Sequence, residues 1–437
     1  MKTRGKGMKK AGILLALCLL MAGCGVSDNV GETPVEKEQA EIVTLEFYTW
    51  TDEKYYMTDA IRAFMEIHPE IQVNIHLIPS SEYAQTISIL HNSDDRKIDV
   101  FTETKPSAAA ADVKKNYVLD ITEMAEKCGA TDEYGEMLES LKIDRKIYMM
   151  PYRKSTWAVY YNKTIFDQKG IPYPEGDWTW EDYTETAREL TGSMEDQYIY
   201  GSMSYETSSM WWRTPVRTEG IENTMTRAAL KEFKKAAEWN YQMAYEWEIQ
   251  PAFTELTDVS SYDYVSTFLE GNIAMFYCGD WAMEMIDQQT GEKEPEFEYD
   301  IAPLPGPSEG ERYMPVTTAV VQVSSRSENP EEAFLLTEFL AGKEGAEILA
   351  ENGIIPAVDT DEIRRILQER QGAPKHISYF LEYDLAVYTL PNEKMEEALQ
   401  VVNRYVGQYL MKESGLEETF QMIESILEER ELFEEDE

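Results

Sequence analysis

Residues 147–166 read Ile-Tyr-Met-Met-Pro-Tyr-Arg-Lys-Ser-Thr-Trp-Ala-Val-Tyr-Tyr-Asn-Lys-Thr-Ile-Phe. Two apolar, β-rich runs, 147–150 and 157–161, flank a polar elbow at 151–156 that carries no hairpin turn signal. The pattern predicts one strand ending and another beginning elsewhere. The chain is expected to cross here from one domain to another, with the elbow as a hinge and the adjacent cleft as the working site.

Upstream, Val43, Leu45 and Phe47 alternate with Thr44 and Glu46, a strand that runs into the loop 49–54. Met57, Ile61, Phe64 and Met65 then recur at helical spacing, and Ile71, Val73, Ile75 and Leu77 alternate again, which together make a βαβ opening. A buried strand at 98–101 and a helix over 106–116 complete an α/β first domain. Open α/β sheets hold ligands beyond the carboxyl ends of their strands, which points to the loops 50–54 and 102–105.

Downstream, Thr179 is a candidate cap for a helix whose face is Trp180, Tyr183, Ala187 and Leu190. A long helix is expected from Thr226 to about Trp247. A strand over 273–277 runs into Cys278-Gly279-Asp280-Trp281, another loop at a strand's end. The β-rich run 316–323 is expected to be a second crossing and Gly372-Ala373-Pro374 a third. Between them Asn329-Pro330-Glu331-Glu332 predicts a capped helix start. The remainder reads as helical, closing on a solvated acidic end.

The first residues follow a different logic. Lys2, Arg4, Lys6, Lys9 and Lys10 precede a short apolar run, 11–21, as in an export signal. Cys24 follows Leu20-Met21-Ala22-Gly23, the pattern of a cysteine that is lipidated and becomes the mature N-terminus. Residues 1–23 are thus expected to be a signal peptide and 24–41 a lipid-anchored, disordered tether. The formal net charge is −42, and removing the five positive charges of the leader takes it to −47. That excludes nucleic-acid binding and electrostatic docking on an anionic membrane, leaving the lipid as the anchor. Cys128 and Cys278 are far apart without metal-ligand spacing and are expected to be two buried thiols.

Several stretches together resemble the extracellular solute-binding lipoproteins of bacterial ABC importers, of the maltose-binding-protein-like, carbohydrate-binding type. They are Leu45-Glu46-Phe47-Tyr48-Thr49-Trp50, His68-Pro69-Glu70-Ile71-Gln72-Val73, Asp99-Val100-Phe101, the stretch 148–163, Trp178-Thr179-Trp180-Glu181-Asp182, Gly271-Asn272-Ile273-Ala274-Met275, Gly279-Asp280-Trp281, Ala302-Pro303-Leu304-Pro305-Gly306 and Gly353-Ile354-Ile355-Pro356. The resemblance implies an α/β, two-lobed periplasmic-binding-protein-like fold with three crossovers and an interlobe ligand cleft. By that analogy 42–154 and 318–373 form the N-terminal lobe, and 155–317 and 374–437 the C-terminal lobe. Pro315-Val316-Thr317-Thr318-Ala319 stands where many relatives have a glycine pair, so the backbone there is expected to approach the ligand less closely.

A sugar offers an apolar C–H face and a rim of hydroxyls, so its site needs flat aromatics with carboxylates, amides and guanidinium groups beside them. The candidates are Trp50, Asp52, Glu103, Tyr152, Arg153, Ser155, Trp157, Trp211, Trp212, Asp280, Trp281 and Thr317. An indole covering roughly 100 Å² of sugar contributes about 2.5 kcal/mol, against the about 8 kcal/mol of micromolar affinity. Two or three such platforms are adequate before ordering costs are counted. The expected partners are a sugar or oligosaccharide, ABC permease subunits and the membrane through the lipid, with no nucleic acid, no cofactor or metal, and a monomeric chain on the extracellular face. The rival readings are the same fold binding a peptide or polyamine, and a secreted carbohydrate-active enzyme. His68, His76, His91 and His376 are isolated, and no nucleophile, phosphate-loop or dinucleotide motif is present, which favours binding over catalysis.

Overall fold

The structure is a computed structural model that describes residues 42–79, 82–93, 97–129, 136–203, 210–221, 224–256, 264–290, 297–370, 372–381 and 393–435, with the backbone alone at 136, 210, 211, 255, 256 and 393. The expected signal peptide and tether lie outside these residues. The strands are β1 (Val43–Trp50), β2 (Ile71–Ile78), β3 (Val100–Glu103), β4 (Met150–Ser155), β5 (Trp157–Asn162), β6 (Gly192–Met194), β7 (Gln197–Ile199), β8 (Met275–Gly279), β9 (Tyr299–Pro303) and β10 (Thr317–Val323).

A five-stranded sheet runs β2-β1-β3-β10-β4, and a three-stranded sheet runs β8-β5-β9. β1 pairs in parallel with β2 and β3, as the βαβ opening requires, while β10 is antiparallel to both β3 and β4. β5 is antiparallel to β8 and β9. The fold is α/β and two-lobed, with the five-stranded sheet in one lobe and the three-stranded sheet in the other, and β6 and β7 form a separate antiparallel pair. The chain passes from the first sheet to the second between β4 and β5, and returns between β9 and β10. The helix Asp361–Glu369 packs on the helix Lys343–Glu351, and the turn Ile377–Phe380 packs on β5, on β9 and on the helix Asp361–Glu369.

The elbow differs from its sequence reading. Residues 150–155 are strand, and Thr156 alone separates β4 from β5. Pro151 is accommodated because β4 is the edge strand and carries a bulge. The register jumps from Arg153–Ala319 to Pro151–Val320, leaving Tyr152 without an opposite residue. The outer edge of β4 is closed by Lys154 N–H donating to Ile355 O at 2.9 Å and Ala357 N–H donating to Tyr152 O at 3.0 Å.

β5 is buried on both faces. Trp157, Val159 and Tyr161 enter the core of the second lobe with Tyr183, Phe233 and Met275, while Ala158 and Tyr160 enter the core that contains Leu45, Phe47 and Phe64 of the first. Ile301, Phe276 and Phe380 continue that layer, so one apolar core runs from the first sheet to the near face of the second.

The helix starts follow their residues. Thr179 and Asp182 form a reciprocal capping box on the helix Trp180–Leu190, and Thr226 accepts from Ala229 N–H at the head of Arg227–Tyr245. Pro330 opens Pro330–Ala341 as expected, but the Asn329 side chain makes no capping bond. Cys278 is buried in β8 whereas Cys128, at the exposed end of the short helix Thr122–Cys128, is not; the two form no disulfide. Among the described residues no helix is long and apolar enough to cross a membrane.

Candidate functional site

The polar groups of the site gather at the carboxyl end of β1. A turn over Thr51–Glu53 carries the chain into the helix Lys54–Ile67 and leaves Glu53 pointing inward, 3% exposed. Its Oε1 accepts from Tyr56 Oη at 2.7 Å and from Tyr152 Oη at 2.5 Å, and its Oε2 accepts from Thr49 Oγ1. Thr49 Oγ1 is in turn 2.8 Å from Thr102 Oγ1 on β3. A buried carboxylate is tolerated when its oxygens are this fully hydrogen-bonded.

Arg153 projects from β4 into the same centre. Its Nη1 donates to Tyr56 Oη at 2.9 Å and lies 3.8 Å from Glu53 Oε1, and its Nη2 donates to Ser155 Oγ at 3.3 Å and lies 3.7 Å from Asp280 Oδ2. Burial opposes its charge, but Tyr56, Asp280, Tyr152 and Glu53 around it hold the guanidinium protonated more firmly than usual. Asp280 follows β8 and belongs to the second lobe. Its Oδ1 accepts from Thr156 N–H at 3.1 Å, and its own N–H donates to Thr156 O at 2.9 Å. Arg153 therefore stands between a carboxylate of each lobe.

Burial sets the acid strengths here. It pushes Asp280 up to about 6, with Arg153 pulling the other way. One turn further along the helix Trp281–Thr290, it pushes Glu284 up to about 7. Glu103, at the end of β3 and 7% exposed, is pushed up to about 8 by burial and by the neighbouring Asp112 carboxylate.

The aromatics lie around this centre. Trp50, 7% exposed, stacks on Tyr83 with ring centroids 4.1 Å apart. Trp157 meets Trp281 edge to face at 5.5 Å, and the Arg217 guanidinium carbon lies 5.9 Å from the Trp157 ring centre. Trp281 is partly exposed, and its Nε1 donates to Tyr264 Oη at 2.8 Å. Gly279 makes room for that indole, since a Cβ there would come 1.9 Å from the ring.

The structure thus brings Tyr152, Arg153, Ser155, Trp157, Asp280 and Trp281 together at the crossing. Thr317 lies beside them, opposite Ser155 in the sheet. Trp50 and Glu103 share the first-lobe side, while Asp52 is solvent-exposed. Trp212 is 1% exposed and packs edge to face on Phe233 in the second core; the Trp211 side chain lies outside those described. The sequence reading missed Glu53, Tyr56, Tyr83 and Glu284. The available signal was the spacing of Glu53 and Tyr56, three apart, with Tyr56 beside Met57 on the buried face of the following helix.

Residues 49–347 match the family model described as bacterial extracellular solute-binding protein. The chain belongs to this family. The expected kinship with the solute-binding proteins of bacterial ABC importers is therefore met. The multiple sugar-binding protein of Streptococcus mutans is 21% identical over 70% of this chain and 71% of its own. A Rhizobium etli sugar transporter solved in an open conformation superposes with a TM-score of 0.72 at 25% identity, covering 87% of this chain and 98% of that one. The Listeria monocytogenes ABC substrate-binding protein in complex with cycloalternan gives a TM-score of 0.76 at 19% identity, covering 90% and 100%. The family and these neighbours are binding proteins.

Proposed function

We propose that this solute-binding protein captures a sugar or oligosaccharide between its lobes and delivers it to the permease of an ABC importer. The observation that carries the reading is the partly exposed indole of Trp281, backed edge to face by Trp157, together with Arg153, which buried carboxylates of both lobes, Glu53 and Asp280, hold in place. Aromatic faces match the C–H surface of a pyranose, and pre-positioned polar groups match its hydroxyl rim. The sugar-binding description of the Streptococcus mutans relative and the cycloalternan complex of the Listeria monocytogenes neighbour support the same class. A polyamine is disfavoured because Arg217 places positive charge beside Trp157.

In this reading the lobes are 42–154 with 318–373 and 155–317 with 374–437, and ligand, rather than catalysis, is the business of the cleft. Glu53 is saturated by hydroxyl donors and Asp280 holds a backbone amide, an arrangement that suits fixed scaffolding better than proton transfer. Cys24 is the lipid anchor that keeps a monomeric protein on the extracellular face. A thermal-shift screen against sugars, peptides and polyamines tests the reading, since a ligand raises the melting temperature by mass action. A sugar that raises it supports the proposal; a response confined to peptides or polyamines overturns it.

A further inference from the structure

We propose that Asp280 is a positioning residue for closure of the lobes, its carboxylate fixing the crossing peptide and, through Arg153, tying the second lobe to the first. Thr156 is the single residue between the two sheets, and Asp280 brackets it from both sides. The carboxylate Oδ1 accepts from its N–H at 3.1 Å, and the Asp280 N–H donates to its carbonyl at 2.9 Å. The other oxygen, Oδ2, lies 3.7 Å from Arg153 Nη2. The opposite end of that guanidinium reaches Tyr56 Oη at 2.9 Å and comes within 3.8 Å of Glu53, both in the first lobe.

A continuous line of charge therefore runs from second lobe to first across the pivot. Rotation about Thr156 must change the Asp280–Arg153 separation while leaving the pivot's own bonds in place. Asp280 is 1% exposed, which makes it a poor sugar contact and a good structural one. The charged or titratable groups that face it are Arg153 from β4, Glu53 and Tyr56 beyond that arginine, Glu284 one turn along its own helix and Tyr160 from β5. Because burial raises its pKa to about 6, its charge is lost under mildly acidic conditions. The hydrogen bond from Thr156 N–H then weakens, since one to a neutral carboxyl is roughly half as strong as one to a carboxylate, and the charge attraction to Arg153 across 3.7 Å is lost.

The experiment uses the purified protein without ligand, so a failed sugar screen does not affect it. Hydrogen exchange with residue-level fragmentation reads the protection factor of the Thr156 amide at pH 5 and pH 8, and small-angle scattering reads the radius of gyration. Expected is about a tenfold higher protection factor at pH 8, the loss on neutralising one charged hydrogen bond, with a smaller radius. Asp280→Asn keeps an acceptor for Thr156 without the charge, and is expected to show the pH 5 protection and radius at both pH values. Glu284→Gln is expected to retain the wild-type dependence. Arg153→Gln is expected to lose the change in radius while keeping the change in Thr156 protection, and serves if Asp280→Asn does not fold. Equal wild-type protection at the two pH values, a wild-type dependence in Asp280→Asn, or its loss in Glu284→Gln would each overturn the assignment.

Discussion

Tyr152 and Glu53, 99 positions apart in the chain, are joined by a hydrogen bond of 2.5 Å at the floor of the site. Tyr56 donates to the same carboxylate oxygen, so one carboxylate organises the bulge of β4 and the first turn of a helix together. Glu53→Ala strands the Tyr56, Tyr152 and Thr49 hydroxyls and removes a counter-charge from Arg153. The expected cost is about 3–5 kcal/mol, read from urea denaturation. Tyr152→Phe, which removes one donor, is expected to cost about 1–2 kcal/mol.

Trp281→Ala removes a ring from the site without emptying either core. Sugar affinity is expected to fall by about 2 kcal/mol or more, roughly thirtyfold, with the melting temperature little changed. Gly279→Ala is expected to mimic part of that loss by pushing the indole aside, because the added methyl meets the ring. Calorimetric titration with the sugar found in the screen checks both, and unchanged affinity in Trp281→Ala removes that residue from the site.

Glu103 gives a pH dependence of known sign. Burial and Asp112 raise its pKa from 4.5 unfolded to about 8 folded, so between those values the folded state binds more protons. Its contribution to stability is therefore complete below about pH 4.5, lost progressively as pH rises, and gone above about pH 8. The unfolding free energy of wild type minus that of Glu103→Gln, read from urea denaturation, should fall from pH 5 to pH 9, by a few kcal/mol at about 1.4 kcal/mol per pH unit. A constant difference would contradict the placement of this carboxyl.

Cys24→Ala is expected to release the protein from the membrane fraction into the medium, as immunoblots of the two fractions would show. Retention of the variant on cells would mean that the leader, not a lipid, does the holding.

The alternation of β1 and β2, the cap at Thr179 and the aromatic helix face behind it were legible because each is a local pattern with a local cause. So was the crossing, since no turn residues separate the two β-rich runs. The elbow itself was not, because proline and charge in 151–155 argue against strand unless the strand is known to be a bulged edge, and edge status belongs to the sheet. Among the candidate residues, Trp157, Asp280 and Trp281 were named from their positions beside strand ends, and the structure sets them together at the crossing. Trp212 has the same local appearance yet packs on Phe233, a contact made by a helix starting fifteen positions later. Glu53 was hidden by the abundance of acids, since 82 Asp and Glu residues leave no single one conspicuous until its donors are placed.

The two-faced burial of β5 bears on how the molecule comes apart. Ala158 and Tyr160 belong to one core, and Trp157, Val159 and Tyr161 to the other, on a single six-residue strand. Neither lobe can shed its interior without uncovering the neighbour's. The two lobes are mechanical units for opening and closing, but for melting they are one.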